Sequence, residues 1–368
     1  MSFFDFIKCL FWAIIVFFVL AGSAFAQEAE RGFQHYGMGW TPDPKATEEF
    51  VKTIPTIYGV QVEELIKLDT NEDALLYRAL IPCLERYGVK NWTTARKQSD
   101  GHGGTETILV VKAYQQGGVG SCVGNATAAC LSVLNAVEEF NKKEPQEFTA
   151  MHSADGMYGL MREAAGMLGG RDGGTGSGAA KAIQTLGSLY CVKYDAADLT
   201  VNNPDRARQF GRTGIGEKLK QEAKPRNVYS AVRVNNVQEA WSLIGNGYPI
   251  NVCSGQGFSR TRDKDGVCKP SGSWSHSMAV VGRKTINNRK LFLIWNSWGD
   301  NWCSDPYVDD MPMGSFGVDF SVLDGMLKRS DSFAYSDLNG FPKRSPIVLD
   351  FGTKEYLGYI VSPVSNKP

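Results

Sequence analysis

The stretch Gln116-Gly117-Gly118-Val119-Gly120-Ser121-Cys122-Val123-Gly124-Asn125 constrains this chain more than any other. Up to Gly120 it is glycine-rich and aperiodic, so it reads as a loop. From Cys122 onward Ala126, Ala129, Cys130, Val133, Leu134, Val137 and Phe140 recur at helical spacing, with Glu138 and Glu139 off the apolar stripe. Ser121 stands at the N-cap position, its hydroxyl suited to accept a first-turn N–H. A cysteine is thereby set at the positive end of a helix that runs into a core, where unpaired N–H groups favour thiolate over thiol. A small buried apolar cysteine is the competing reading of that position taken alone, and the rest of the chain decides between the two.

The first 26 residues have the layout of a secretory signal peptide: Lys8, the apolar run Leu10–Leu20, then small residues ending Ala24-Phe25-Ala26. Cleavage after Ala26 and export to a periplasmic or extracellular compartment are expected. Ser23 stands where a lipid-anchored leader needs cysteine, and no later apolar run is long enough to span a bilayer, so no stable membrane insertion is expected after the leader is removed. The chain has 39 basic and 39 acidic residues. That balance gives no electrostatic case for a nucleic-acid partner or an anionic membrane. Oligomeric state leaves no mark in the sequence.

Of eight cysteines, Cys9 falls in the leader, leaving Cys83, Cys122, Cys130, Cys191, Cys253, Cys268 and Cys303. Outside the cytoplasm cysteines tend to pair, and an odd number leaves one free. If that one is Cys122, the pairing of the other six stays open. Cys253 and Cys268 bracket the polar stretch Ser254–Val267, which reads as a surface loop that a disulfide would staple. Cys130 lies within the apolar stripe and reads as structural.

Residues 27–104 differ in character from the remainder of the chain. Short helical patterns run over Glu48–Ile54 and Val62–Leu68, and a longer one from Asp73 to Tyr87, with Thr70-x-x-Asp73 as its cap and a kink at Pro82. The polar, glycine-rich run Arg96–Gly104 reads as an exposed linker and candidate processing site. Past Phe140, helical patterns recur at Met151–Gly169 and Ala179–Leu186, flanking the open run Gly169–Gly178. Val201–Arg226 has no periodicity and reads as a surface excursion. Val237–Ile244 is helical, and from there the signal is β: Tyr248–Val252, Ser277–Gly282, Leu291–Trp295 and Gly314–Val318. A helical first half and a strand-rich second half imply an α+β architecture with two lobes. The expected organisation is a leader (1–26), an N-terminal helical segment placed as a pro-region would be (27–104), a catalytic domain (105–337) and a tail (338–368).

Of four histidines, His35, His102 and His152 sit in unremarkable polar contexts. His276 enters an apolar strand, in Trp274-Ser275-His276-Ser277-Met278-Ala279, and twenty residues on a second strand ends in Asn296-Ser297-Trp298-Gly299. With Cys122 these supply what thiol acyl transfer needs. An imidazole takes the thiol proton and returns it to the leaving amine near neutral pH. Asn296 can orient the imidazole, Trp298 can keep water off that bond, and the Gln116 amide with the Cys122 N–H can cradle an oxyanion.

Together these residues resemble the papain-like cysteine peptidases. Gln116-x5-Cys122 is similar to that family's nucleophile motif, and His276 and Asn296-Ser297-Trp298-Gly299 to its other two signatures, in the same chain order. Arg171-Asp172-Gly173-Gly174 resembles its Gly-Gly segment, which the resemblance implies binds an extended substrate backbone. The likeness covers roughly Thr105–Ser336. It implies a two-lobed fold, with a helical left lobe carrying the catalytic helix and a β-barrel-like right lobe, no cofactor or metal, and a peptide or protein substrate. Implied catalytic residues are Cys122, His276, Asn296 and Gln116; implied substrate-binding residues are Gly173, Gly174 and Trp298. Val119 and Arg171 stand where the family has a disulfide pair, Val123 replaces an aromatic, and Cys303 replaces a glycine. The family's pro-segment motif is not visible in 27–104. Two alternatives stand beside a thiol peptidase: a non-catalytic papain-fold binding module, and another cysteine acyl-transfer enzyme such as a transglutaminase or cell-wall amidase.

Overall fold

The structure is a computed structural model and describes residues 36–54, 66–67, 69, 73–99, 103–140, 150–304, 306–308 and 310–338. The expected leader, the Val62–Leu68 pattern apart from 66–67, His35, His102 and the tail beyond 338 lie outside these residues. No helix among them is long and apolar enough to cross a membrane.

Helix α1 (Pro44–Val51) starts where Asp43 accepts the Ala46 N–H at 2.9 Å and Pro44 supplies a preset φ. A 3₁₀ turn at Leu76–Ala79 leads into α2 (Leu80–Arg86). Pro82 falls in the first turn of α2, where its missing N–H costs no hydrogen bond, so the expected kink does not arise. Nor is Asp73 a helix cap: its carboxylate accepts the Thr285 N–H at 2.7 Å. Strands β1 (Thr93–Ser99) and β2 (Thr105–Val111) form an antiparallel hairpin. The reading of Arg96–Ser99 as exposed linker is therefore corrected. Arg96 is buried and donates to the Met311 carbonyl at 2.7 Å, a satisfied partner that makes burial of a guanidinium tolerable.

Helix α3 (Cys122–Phe140) is the axis of the molecule. It is buried on almost every side, including at Glu138 and Glu139, which the apolar stripe had placed outside. Glu139 accepts from the Tyr87 hydroxyl at 2.6 Å and from Arg86 at 3.4 Å, so α2 neutralises one end of α3. Thr127 and Ser132 return their hydroxyls to carbonyls four residues back. Around α3 stand α4 (Ala154–Ala164) and α5 (Gly176–Thr185). Residues 201–226 are no irregular excursion: α6 (Pro204–Thr213), capped by Asn203, and α7 (Glu217–Ala223) fill them.

The second lobe is one antiparallel sheet of β3 (Val228–Arg233), β4 (Ile250–Arg262), β5 (Cys268–Ile286), β6 (Arg289–Trp295), β7 (Ser315–Asp319) and β8 (Phe333–Leu338) in the order β3-β8-β4-β5-β6-β7. Helices α8 (Val237–Gly245) and α9 (Phe320–Leu327) pack on it. The sheet is open, with β3 and β7 as its ends, and only loosely barrel-like. Most of Ser254–Val267 is strand, not loop. Cys253 pairs in register with Ser277 and Cys268 with Arg262, so these two cysteines stand far apart along one hairpin and no bond between them staples it. Helix α3 lies against β5, β8 and β4, and the N–H of Ser277, next to His276 on β5, faces Cys122 at the start of α3.

Candidate active site

Two loops meet in front of α3. The Gln116 N–H donates to the Ser297 carbonyl at 3.0 Å, the Gly299 N–H to the Tyr114 carbonyl at 3.1 Å, and the Ser297 hydroxyl to Gln116 Oε1 at 2.6 Å. The segment before Cys122 is thus stitched to the one bearing Asn296. Gln116 is buried, and its amide N–H₂ donates to the carbonyls of Gly37 (2.6 Å) and Val119 (3.0 Å).

Asn296 Oδ1 accepts the Ser297 N–H at 2.8 Å and lies 2.8 Å from His276 Nε2. Because Ser297 N–H identifies that atom as the oxygen, Nε2 carries the proton and Nδ1 is left with a free lone pair. Nδ1 is buried with no hydrogen-bond partner among the described residues. Trp298 stacks on the imidazole, ring centres 4.5 Å apart and planes 30° apart. Trp274 and Trp302 continue the aromatic wall behind it.

Cys122 opens α3 and is fully buried. Burial pushes its thiol up to about 11, opposed by the backbone N–H groups of Ser277, Gly39, Val123 and its own. Burial also pushes His276 down to about 4, opposed by Asn296. Burial thus favours the neutral form of each. The Ser121 hydroxyl accepts from the Asn125 side-chain amide at 3.1 Å and not from a first-turn N–H, a change from the expected cap. Gly124 is needed because a Cβ there would stand 2.8 Å from Tyr158 Cα. Cys130 is buried in the core, as the stripe implied.

What buries the pair is a strand of chain absent from the sequence-level picture. Residues Tyr36–Thr41 run over the site. Tyr36 stacks on Trp298 at 5.0 Å, and the Gly37 N–H reaches the Gly117 carbonyl at 3.1 Å. Trp40 N–H donates to the Ser275 carbonyl at 3.1 Å. Trp40 pairs with Gly174 as one strand with another: Gly174 N–H to Gly39 carbonyl at 2.7 Å, Thr41 N–H to Gly174 carbonyl at 2.8 Å. Gly37 and Gly39 lie so close to the loop before Cys122 that a Cβ on either would meet the backbone of Val119 or Gly120 within 2.2 Å. Trp40 Nε1 donates to Asp331 at 2.8 Å, and Asp331 also accepts from Gly176 N–H, Ser177 N–H and Thr47 Oγ1. The sequence held one clue, the glycine spacing in Tyr36-Gly37-Met38-Gly39-Trp40.

The other site residues divide. Gly174 faces the cleft; Gly173 turns away, its N–H on the Tyr158 hydroxyl (2.9 Å) and its carbonyl on Arg162 (2.7 Å), at φ 139. Arg208 of α6 joins Asp172 (3.4 Å) to the Gly118 carbonyl (3.2 Å), a polar tie between the two loops that Val119 and Arg171 leave without a disulfide. His152 is not in a polar context. It is fully buried, neither ring nitrogen has a hydrogen-bond partner among the described residues, and burial pushes it down to about 3.

The sequence profile described as papain family cysteine protease matches residues 104–314. No curated protein is significantly similar in sequence. Among solved structures, xylellain, a cysteine protease from Xylella fastidiosa, is 16% identical with a TM-score of 0.51, over 82% of this chain and 96% of that one. A procathepsin B from Trypanosoma congolense is 11% identical with a TM-score of 0.45, over 81% and 85%. Digestive procathepsin L 3 of Tenebrio molitor larvae is 14% identical with a TM-score of 0.41, over 80% and 93%.

Proposed function

The chain belongs to the papain family of cysteine proteases, and we propose that it is an exported thiol peptidase that hydrolyses peptide bonds through an acyl-enzyme on Cys122. The observation that carries this reading is the double acceptance at Asn296 Oδ1, which leaves His276 Nδ1 as the free base of a tautomerically fixed imidazole. Nδ1 takes the thiol proton as Sγ attacks the substrate carbonyl carbon. The C–N bond then breaks, the imidazolium protonates the departing amine, and a thioester remains. Water, deprotonated by the same nitrogen, hydrolyses the thioester and restores the thiol. Gln116 Nε2 and the Cys122 N–H stabilise the charge on the tetrahedral oxygen. Export rests on the leader-like sequence of residues 1–26.

Residues 36–41 hold the place a substrate would take: the Gln116 amide, the Gly174 backbone and the face of Trp298. The reading therefore includes a covered resting state from which this segment must leave. Once it has left, water and substrate reach Cys122 and His276, the burial that keeps both neutral is relieved, and a thiolate–imidazolium pair becomes accessible.

The test is covalent labelling with a peptidyl epoxide, before and after proteolytic nicking of the chain ahead of residue 73. Slow labelling of the intact chain and fast labelling of the nicked one, on Cys122 alone, together with turnover of a peptide substrate, is the expected result. A nicked, folded chain that neither labels nor turns over would indicate a binding module. Labelling with no peptide hydrolysis but transfer to an added amine would indicate a transferase.

A further inference from the structure

Cys303 is an oddity of the backbone. It sits at φ 72, in the left-handed region that disfavours any side chain with a Cβ. Something has to hold a cysteine there. Its Sγ lies 2.9 Å from that of Cys268, both side chains buried. Each of the other buried thiols outside the catalytic site that has a near polar neighbour faces oxygen: Cys83 the Ala136 carbonyl, Cys191 the His152 carbonyl, Cys253 Asn251 Oδ1.

We propose that Cys268 and Cys303 are joined by a disulfide, a clasp that closes the stretch of chain carrying both His276 and Asn296. A disulfide bond is about 2.05 Å long, so closure asks for a movement of less than about 1 Å. In forming it, the two thiols give up two protons and two electrons to a disulfide oxidant, small-molecule or protein, which is reduced to two thiols. The contact with Cys268 and the positive charge of Arg262 and Arg260 lower the Cys303 thiol, against the burial that raises it.

The clasp sits behind the site. Cys268 begins β5, which carries Trp274 and His276; Cys303 follows Trp302. Trp274 and Trp302 pack edge to face at 5.8 Å, and both pack on Trp298, the ring that covers His276. Arg262 holds the Cys303 carbonyl at 3.1 Å and the Ser304 carbonyl at 2.6 Å, and the Ser304 N–H reaches the Arg260 carbonyl at 2.7 Å, so the loop is already docked when the sulfurs meet. The bond thus ties together the two chain segments whose relative position sets the His276–Asn296 hydrogen bond.

The proposal rests on the export reading for its oxidant, and the experiment separates the two. The full chain is recovered from a host into whose oxidising compartment it is directed, unfolded in N-ethylmaleimide without reductant, digested and weighed. Expected is a linked pair of peptides containing Cys268 and Cys303, two hydrogens lighter than their sum, with Cys122 alkylated. A second sample, made in a reducing cytosol, is incubated folded with oxidised glutathione; the same linked pair is expected. Maleimide on both cysteines after that incubation, or either one joined elsewhere, would overturn the clasp. If the pair forms with glutathione but the chain with its own leader stays in the cytosol with free thiols, the clasp stands and export fails. As a second measurement, dithiothreitol should lower the melting temperature of the wild-type chain by several degrees and leave Cys303→Gly unmoved, since glycine adopts that φ freely. An equal drop in both would show that no bond was there to break.

Discussion

Two parts of the chain precede Cys122, and they are attached in different ways. Residues 36–54 lie on the surface of both lobes. They are held by backbone hydrogen bonds to Gly117, Gly174 and Ser275, by polar links to Asp331 and by a few apolar anchors, buried Trp40 and Ile54 and the Phe50 ring against Phe333, and an open cavity of about 950 Å³ between α1, α5 and β3 leaves that helix loosely backed. Residues 73–99 are built into the core. Leu76, Leu80 and Leu84 are almost fully buried, Ala74 exchanges both backbone hydrogen bonds with Arg283 of β5, and β1 pairs with β2 along its whole length. Polar and backbone bonds are exchanged for bonds to water at little net cost, whereas buried apolar area is lost outright when such a segment leaves. The first part, with fewer buried apolar side chains, is expected to be removable, and the second to belong with the domain.

The largest expected effect, loss of a cooperative fold, tests that contrast directly. A chain beginning at residue 55 should fold and turn over a peptide substrate at least about tenfold faster than the full chain, because the occupied cleft is emptied. A chain beginning at residue 105 should give no cooperative melt, since it lacks the buried side chains of α2 and Trp92. Two folded products of equal activity would erase the distinction.

Next in size is Gln116→Ala in the shortened chain. In the proposed mechanism its amide N–H₂ meets charge present only in the transition state, so kcat should fall by about 10²–10³, roughly 3–4 kcal/mol, with KM little changed. As a surface-loop glutamine it would be removable without cost. It is buried, however, and the substitution strands the Ser297 hydroxyl, so a fall in melting temperature of a few degrees should accompany the kinetic loss. Unchanged turnover would take Gln116 out of the mechanism.

What was legible in the sequence was local. A cysteine after a glycine loop, a histidine entering a strand and an asparagine leaving one each describe a geometry set by a few neighbouring residues; Cys122 and Asn296 stand at those positions, whereas His276 lies within β5, beside a shift of register against β4. The covering segment was not legible, because Gly37, Gly39 and Trp40 act largely through backbone groups and impose no apolar period. Helices α6 and α7 escaped for a related reason: only Ala207, Phe210, Leu219 and Ala223 among their apolar residues are buried, too few to mark a face, although Asn203-Pro204 was a cap in plain view. Glu138 and Glu139 show the limit of helical patterning. Whether an acidic residue is outside depends on partners such as Tyr87 and Arg86, some fifty residues distant in sequence.

A smaller expected effect comes from Gly39→Ala in the full chain. A Cβ there would fall 2.0 Å from the Gly120 carbonyl oxygen, so the strand must lift off the site. In the covered wild type, burial pushes the thiol up to about 11 and the imidazole down to about 4, and alkylation of Cys122 should climb with each pH unit through the alkaline range. Lifting the strand removes the burial, which moves the thiol down and the imidazole up. Alkylation by iodoacetamide at pH 7 should rise about tenfold, and its pH profile should shift to lower pH. A profile identical to that of wild type would mean that residues 36–41 do not set the state of the thiol.

The smallest expected effect isolates one bond of the covering segment. Trp40→Phe keeps a ring beside Gly174 but deletes the indole N–H that reaches Asp331 at 2.8 Å. Asp331 is left with Gly176 N–H, Ser177 N–H and Thr47 Oγ1, so its carboxylate is not stranded and α5 keeps its N-terminal partner. A hydrogen bond exchanged for one to water is worth about 1 kcal/mol, a factor of about five in the docking equilibrium. Basal peptide turnover by the full chain should therefore rise about fivefold, with an equal rise in Cys122 alkylation. Thr47→Val should act in the same direction through the same carboxylate, and because the two bonds share Asp331 the double variant should depart from additivity. In the chain beginning at residue 55 both positions are gone, and its turnover marks the ceiling that the variants approach. If Trp40→Phe leaves the full chain as slow as wild type while Gly39→Ala frees it, the cover is held by its backbone alone and Asp331 serves only the start of α5.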